Sequence, residues 1–534
     1  MGGSLWVRGG LVCCGGRGKP SGSRTTSTYL RTRTPSARWP LGLTSGLGPS
    51  MIEPVEAQER AVRGLVDAGG TGLVSAGTGC GKTLMSLWVI DRVARQEGLN
   101  PEDLSVLVVA PLRTENGWRR AVSQVWTGDE VKFNVLSKRR KTEREALESL
   151  LSGGKPTGVS FIGWELLASV SKTKRYDARA GKVKSMAART VLGGIEFDWV
   201  IGDEIHRACN FRTVASQVLC KVKARHRLAL SATPAGGQPV NIFGALKFLW
   251  PRKYPGFTKF AQAFFTSEPC YFGGPYSVTY GAEKQPGLLS KGHKSRGEWQ
   301  DMRIEDVAGA LPPVDIRRVD CVMTAEQRRQ YKMLRDEAVA WMDDHPAVVG
   351  LPVTRDMRLR QATLGQMRVR PVQGGDDEWY FDPGSRSGKI AALLDILRDI
   401  GDEKVVVYSP SRKFQAPLVA QLEKAGYSCA RVDGEHKDAW KSFLDNDGPQ
   451  VLCAVIPAVA EGVDGLQRVC RHEVWVGLDP SVVRCVQAQG RLHRTGQTGT
   501  VVRWLLQCPG TVDTESVIPR LDQRYADLEV SGLI

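Results

Sequence analysis

The chain has no run of 18 or so apolar residues, so no helix of membrane-spanning length is indicated. Its 12 cysteines show no CxxC pair and no Cys/His ligand spacing; Cys13 and Cys14 are adjacent and the rest are scattered. That pattern argues against a zinc module or a disulfide framework and suits a reducing compartment. There is no internal sequence repeat. Residues 1–50 lack Asp and Glu altogether but hold Arg8, Arg17, Lys19, Arg24, Arg31, Arg33 and Arg38. This Gly-, Ser-, Thr- and Arg-rich stretch has no sustained apolar period and is expected to be disordered. Three readings fit it: a basic nucleic-acid arm, an organelle transit peptide, or translation called too early, with Met51 the first residue. The abrupt change in composition at Met51 favours the last.

What is present is length and positive charge. At 534 residues the chain exceeds one ordinary core, which makes two or three domains the expectation. There are 73 basic residues against 57 acidic ones, a formal charge of +16 that favours a polyanionic partner. From Met51 to about Trp250, short apolar runs alternate with helix-like segments. The strand candidates there are Leu73–Ser75, Val106–Ala110, Ser160–Ile162, Trp199–Gly202 and Arg227–Ser231. Between 251 and 384 the sequence is irregular, with helices expected at Thr324–Met342 and Met357–Gln366. Alternation resumes from Ser385, with strands at Val405–Ser409, Val451–Val455, Glu473–Gly477 and Val501–Leu506. The fold class is therefore α/β: two parallel-sheet lobes in tandem, 51–250 and 385–534, joined by an irregular, partly helical connector, 251–384.

The first lobe carries Ser75-Ala76-Gly77-Thr78-Gly79-Cys80-Gly81-Lys82-Thr83 between an apolar strand and a helix-like segment, the context of a phosphate-binding loop. Backbone N–H groups of Gly77, Thr78, Gly79, Cys80 and Gly81 would cradle phosphate oxygens. Lys82 would neutralise the β- and γ-phosphates, and the Thr83 hydroxyl would hold Mg²⁺. Downstream, Phe197-Asp198-Trp199-Val200-Ile201-Gly202-Asp203-Glu204 reads as a buried strand ending in two carboxylates. Asp203 is the candidate metal holder and Glu204 the candidate base for water attacking a γ-phosphate. In the second lobe, Arg491 and Arg494 are three apart, which on a helix gives them one face. If the lobes close over one nucleotide, the two guanidiniums become arginine fingers supplied within the chain. His206 and His493 are expected to link the motifs of the two lobes. Cys80 reads as a small filler of the loop.

In order and spacing, these motifs resemble the superfamily-two helicase-type motor ATPases, and within them the Swi/Snf-like branch. Asp203-Glu204-Ile205-His206-Arg207-Ala208-Cys209-Asn210 is similar to the family's DEAH-R-x-x-N pattern. Ala110-Pro111-Leu112-Arg113 with Trp118-Arg119-Arg120, and Gly163-Trp164-Glu165-Leu166-Leu167, are similar to its strand-contacting motifs. Ser231-Ala232-Thr233-Pro234, Leu311-Pro312-Pro313, Ser387-Gly388-Lys389, Val432-Asp433-Gly434 and Gln487 to Gln497 follow in order. The resemblance implies RecA-like lobes that bind ATP and Mg²⁺ between them, with Gln58 reading adenine and Asp464 and Gln487 contacting the nucleotide. It also implies movement along DNA, duplex favoured, with little sequence specificity. RNA is an alternative track, and a catalytically weak scaffold or a motor subunit of a larger complex is the alternative in another class. Ser231-Ala232-Thr233 and Ala460-Glu461-Gly462-Val463-Asp464 are closer to strand-separating helicases, which leaves translocation and unwinding both open. The Gly-, Arg- and Val-rich usage suggests a cytoplasmic setting in a bacterial or virus-infected cell, with organelle targeting by residues 1–50 the alternative.

Overall fold

The computed structural model describes residues 53–126, 131–152, 156–170, 172–177, 182–187, 192, 195–269, 278–309, 311–337, 339–342, 345–348, 352–370, 378–382, 384, 387–460 and 463–534. The segment 1–50, and Glu461 and Gly462 of the second-lobe motif, lie outside them.

Every strand expected from the sequence falls in one of two parallel sheets, and each sheet belongs to a RecA-like lobe. The first has the order Trp299–Met302, Gly72–Ala76, Lys223–Ser231, Glu196–Asp203, Ser105–Ala110, Gly158–Gly163, Phe133–Leu136. The second has the order Val314–Asp320, Val501–Gln507, His472–Trp475, Val405–Ser409, Val451–Val455, Cys429–Val432. All the pairings within both are parallel. Gly72–Ala76, Ser105–Ala110, Val405–Ser409 and Val451–Val455 are buried along their whole length because helices cover both faces of the sheets.

The stretch 251–384, irregular by composition, nonetheless gives one strand to each sheet. Trp299–Met302 runs beside Gly72–Ala76, and Val314–Asp320 beside Val501–Gln507. Both are edge strands. The first is only four residues long and the second carries four charges in seven residues, so neither reads as a core strand. Two helical expectations are corrected. The helix predicted over Thr324–Met342 spans Ala325–Asp336, after which Val339–Met342 pairs antiparallel with His345–Val348. The helix predicted at Met357–Gln366 spans Pro352–Leu364, and Met367–Arg370 then pairs with Glu378–Phe381.

The connector is tied to the second lobe by polar contacts. Thr324 caps its helix by accepting from the Gln327 backbone N–H at 3.2 Å. Gln327 Oε1 accepts from the backbone N–H groups of Thr324 and Gly388, at 3.2 and 3.1 Å. A Cβ on Gly388 would lie 2.1 Å from the Val322 carbonyl oxygen, so only glycine allows this approach. The next residue, Lys389, is fully buried, with Nζ 2.6 Å from Asp513 Oδ2. Burial alone would pull Lys389 down, but Asp513 outweighs it and keeps the ammonium charged. Beyond the second sheet, the helix Ile518–Val530 leads back to the connector helix Leu288–Lys294, where Ser290 Oγ donates to the Ser531 carbonyl at 2.8 Å.

The Lys389→Ala variant would leave Asp513 as an uncompensated buried charge. It is expected to lose about 3–5 kcal/mol of stability in urea unfolding. A second expectation concerns acid. His293 is buried between Tyr254, whose hydroxyl lies 2.7 Å from Nε2, and Glu298, 2.6 Å from Nδ1. Burial pulls His293 down to about 4, with Lys253 and Arg296 helping and Glu298 opposing. The unfolded chain takes up this proton near the ordinary value of 6.5, before the folded chain does. The stability tied to His293 is therefore complete above about pH 6.5 and is lost as pH falls towards 4. Urea midpoints at pH 7 and pH 4.5 should show the gap between wild type and His293→Gln narrowing in acid.

Candidate active site

In parallel α/β sheets the carboxyl ends of the strands form the natural ligand crevice. Here those ends carry the phosphate loop after Gly72–Ala76, the carboxylate pair at the end of Glu196–Asp203, and Ser231-Ala232-Thr233 after Lys223–Ser231. The helix Lys82–Gln96 opens immediately after Gly81, whose φ of 80° and ψ of 29° are left-handed. A Cβ there would stand 2.7 Å from Gln58 Nε2. Gln58 Nε2 donates to the Cys80 carbonyl at 2.9 Å and Oε1 accepts from the Val55 N–H at 3.0 Å, so Gln58 is packed onto the loop. Lys82 Nζ donates to the carbonyls of Ala76 and Gly77 at 2.9 and 3.1 Å, and Thr83 follows it in the helix's first turn. Cys80 is buried, and burial pushes its thiol up to about 11, in keeping with a filler.

Asp203 and Glu204 are held by more groups than the sequence suggests. Asp203 Oδ2 accepts from the Trp118 indole N–H at 3.0 Å and Oδ1 from the Glu204 N–H at 2.9 Å. The Trp164 indole donates to the Asp203 carbonyl, also at 3.0 Å. Glu204 has φ 51° and is the one non-glycine residue with positive φ among the described residues. This strained backbone turns its carboxylate away from the strand direction. Oε2 lies 3.2 Å from His206 Nδ1, which also lies 3.2 Å from Ser231 Oγ. Burial, then the adjacent Glu204 charge, pushes Asp203 up. Burial also pushes Glu204 up, but His206, Lys82 and Arg491 outweigh it and hold Glu204 below the usual carboxylate range.

The second lobe reaches this cluster. The helix Val482–Gln489 ends at Gly490, and a Cβ on Gly490 would be 3.6 Å from Thr78 Oγ1 of the phosphate loop. A Cβ on Gly79 would be 3.7 Å from both Arg494 Nη2 and Thr495 Oγ1. Arg491 and Arg494 lie beyond the helix end, in turns, so the expected shared helical face is corrected. Arg491 donates to the carbonyls of Val463, at 2.9 Å, and Ala460. Burial, then Arg494, pulls Arg491 down to about 10. Arg494 Nη1 pairs with Asp464 Oδ1 at 2.9 Å. Asp464 thus contacts an arginine of the site, and Gln487 lines a cavity of about 1470 Å³ between the lobes, together with His206, Phe211, Arg212, Asp479 and Arg484. No phosphate-loop residue lines that cavity, so it adjoins the site rather than containing it.

Other sequence expectations need correction. Trp118 and Trp164, read with strand-contacting motifs, are buried against Asp203 instead. The available signal was the residue type: a buried indole must find an acceptor for its one N–H. His206 stays within the first lobe, and His493 Nε2 lies 3.0 Å from the Pro312 carbonyl in the connector, so neither histidine bridges the lobes.

The donor set fits a polyphosphate and a cation. Thr233 Oγ1, Arg491 Nε and Arg494 Nε are buried without hydrogen-bond partners among the described residues, and Glu204 Oε2 lies beside the His206 ring nitrogen. Opposite charges thus converge on one crevice with bonding capacity to spare. Fold and site together define a two-lobed nucleotide-binding α/β protein. A model of the SNF2-related domain matches residues 57–362, more than half of the chain, which therefore belongs to that family. Nucleotide use follows from that membership.

The chain is similar to the ISWI chromatin-remodeling complex ATPase ISW1 of Saccharomyces cerevisiae, 22% identical over 473 residues, 85% of this chain and 38% of that protein. It is similar to the human DNA annealing helicase and endonuclease ZRANB3, 23% identical over 456 residues, 83% of this chain and 37% of that protein. To the chicken DNA repair and recombination protein RAD54B it is 22% identical over 514 residues, covering 88% of this chain and 53% of that one. Among solved structures, the Sulfolobus solfataricus SWI2/SNF2 ATPase core in complex with dsDNA is similar at 19% identity and a TM-score of 0.37, over 91% of this chain and 95% of that one. The chain spans 24% to 41% of the length of the first curated relatives it matches. The expectation of a cytoplasmic setting in a bacterial or virus-infected cell is overturned. The relatives are eukaryotic proteins of yeast, chicken, human and Arabidopsis thaliana, and their names include chromatin-remodeling complex ATPase and DNA repair and recombination protein.

Replacing Gly81 by Ala forces a left-handed backbone on a side chain that would strike Gln58. The variant is expected to lose about 1–2 kcal/mol of stability and to bind nucleotide about tenfold more weakly, by thermal unfolding and fluorescent-nucleotide titration.

Proposed function

We propose that this chain is an ATP-driven DNA motor that couples Mg²⁺-dependent ATP hydrolysis between its lobes to movement along duplex DNA. The observation that carries this reading is the meeting of Lys82, Asp203 and Glu204 of one lobe with Arg491 and Arg494 of the other. Residues 51–250 and 385–534 act as the two motor lobes, and 251–384 as the connector through which they move relative to each other. In this reading Gln58 sits at the adenine, and the Gly77–Gly81 amides with Lys82 hold the phosphates. Thr83 and Asp203 hold Mg²⁺, which supplies charge neutralisation at the β- and γ-phosphates when bound. Glu204, kept ionised by its cationic neighbours, takes the proton of the attacking water. Arg491 and Arg494 leave their carbonyl and Asp464 partners to meet the charge developing on the γ-phosphate. Asp464 and Gln487 contact the nucleotide from the second lobe.

DNA as the track is supported by the names of the relatives and by the basic surplus of the chain. Contacts to backbone phosphates position without reading sequence, so binding has little sequence specificity and weakens steeply with salt.

Steady-state ATP hydrolysis, alone and with duplex DNA, single-stranded DNA or RNA, tests the reading. Duplex DNA is expected to stimulate turnover, and Glu204→Gln to lower kcat by about 10²–10⁴-fold with nucleotide binding retained. A preference for single strands would favour unwinding, which the Ser231-Ala232-Thr233 motif also supports, and a preference for RNA would change the track. No hydrolysis on any of them would overturn the proposal.

A further inference from the structure

The helix Glu115–Val125 has two faces that do different things. Arg119 and Arg120 are exposed on it, as is Arg113 in the turn before it, while Trp118 between them is buried. The basic surface continues across Lys138, Arg139 and Arg140, all exposed. Glu115 is shared there between Arg119, at 3.3 Å, and Arg139, at 3.6 Å, so the patch keeps a positive surplus and attracts a polyanion. On the other face, Trp118 gives its only donor to Asp203 Oδ2.

The underlying strands are neighbours in register. Val109 pairs with Gly202, one residue before Asp203, and Ala110 with Gly163, one residue before Trp164. Trp164 holds the Asp203 backbone carbonyl while Trp118 holds its carboxylate. An indole is a rigid plate with one N–H, so a displacement of this helix is carried to the acceptor or breaks a buried bond.

Resting on the DNA-motor reading, we infer that Trp118 is a positioning residue that couples a polyanion on the basic face of helix Glu115–Val125 to the metal-holding carboxylate of Asp203. Duplex DNA on that face then tightens binding of Mg²⁺-nucleotide, and Mg²⁺-nucleotide tightens binding of DNA by the same factor. Nucleotide without Mg²⁺ does not feel the coupling, because the one polar group of Trp118 is bonded to the metal-holding carboxylate.

The test measures the dissociation constant of a fluorescent ADP for the full chain, with Mg²⁺ or with EDTA, and with or without saturating duplex DNA. In wild type, DNA is expected to tighten the Mg²⁺ form by about tenfold and the EDTA form by less than about twofold. Trp118→Phe should bring the Mg²⁺ ratio close to one while leaving DNA affinity and EDTA-form affinity within about twofold of wild type. Arg119→Ala combined with Arg120→Ala changes only exposed positions and should also lower the ratio at saturating DNA, which keeps the inference open to refutation if Trp118→Phe does not fold. Trp118→Phe keeping the wild-type ratio, or losing all affinities together, would overturn the inference. So would a wild type that binds both ligands without coupling. A wild type that binds neither Mg²⁺-nucleotide nor DNA would instead refute the motor reading, and the inference with it.

Discussion

The packing of the buried Asp203 against the half-buried Glu204 at the end of one strand is the constraint on which the rest of the site depends. Adjacent carboxylates drawn out of water repel each other and lose hydration, so each must be matched by donors or cations nearby. The fold supplies different partners to each. Asp203 receives an indole and a backbone N–H, while Glu204 faces a histidine, Lys82 and, from the other lobe, Arg491. The pair is thereby split in character, one group pushed up and the other held down, as the division of roles proposed for them requires.

That matching explains why the lobes meet where they do. Arg491 is itself half-buried and satisfied only in part, by carbonyls of its own lobe. Glu204 across the cleft and Asp464 beside it offset part of the burial and of the Arg494 repulsion that pull it down. Arg494 is in the same position, paired with Asp464 and close to Gly79. A crevice that holds unpaired donors on one wall and carboxylates on the other favours whatever bridges them. A polyphosphate with a divalent cation has charges of both signs with which to do so.

The fold was legible because burial on both faces of a parallel sheet leaves continuous apolar runs, as at Val106–Ala110 and Val405–Ser409. The phosphate loop and the carboxylate pair were legible because strand, turn and helix follow one another within a few residues. The edge strands Trp299–Met302 and Val314–Asp320 were not, since half of their surroundings is solvent or loop and the apolar signal is diluted. The arginine pair was legible as a pair but not in its setting, because three-residue spacing implies a common face only inside a helix, and this helix stops at Gly490.

By itself the sequence determined the two α/β lobes, the identity of the charged groups and the order in which they occur, because these rest on local periodicity and on turn chemistry. Only the tertiary structure decided which groups meet. Trp118 is 85 residues from Asp203 along the chain, and Arg491 is farther still from Glu204. Their proximity comes from strand order in the sheet and from the packing of one lobe against the other. Nothing in the local sequence around a tryptophan states which carboxylate its N–H will reach, since that is set by long-range register and by the need to satisfy a buried charge.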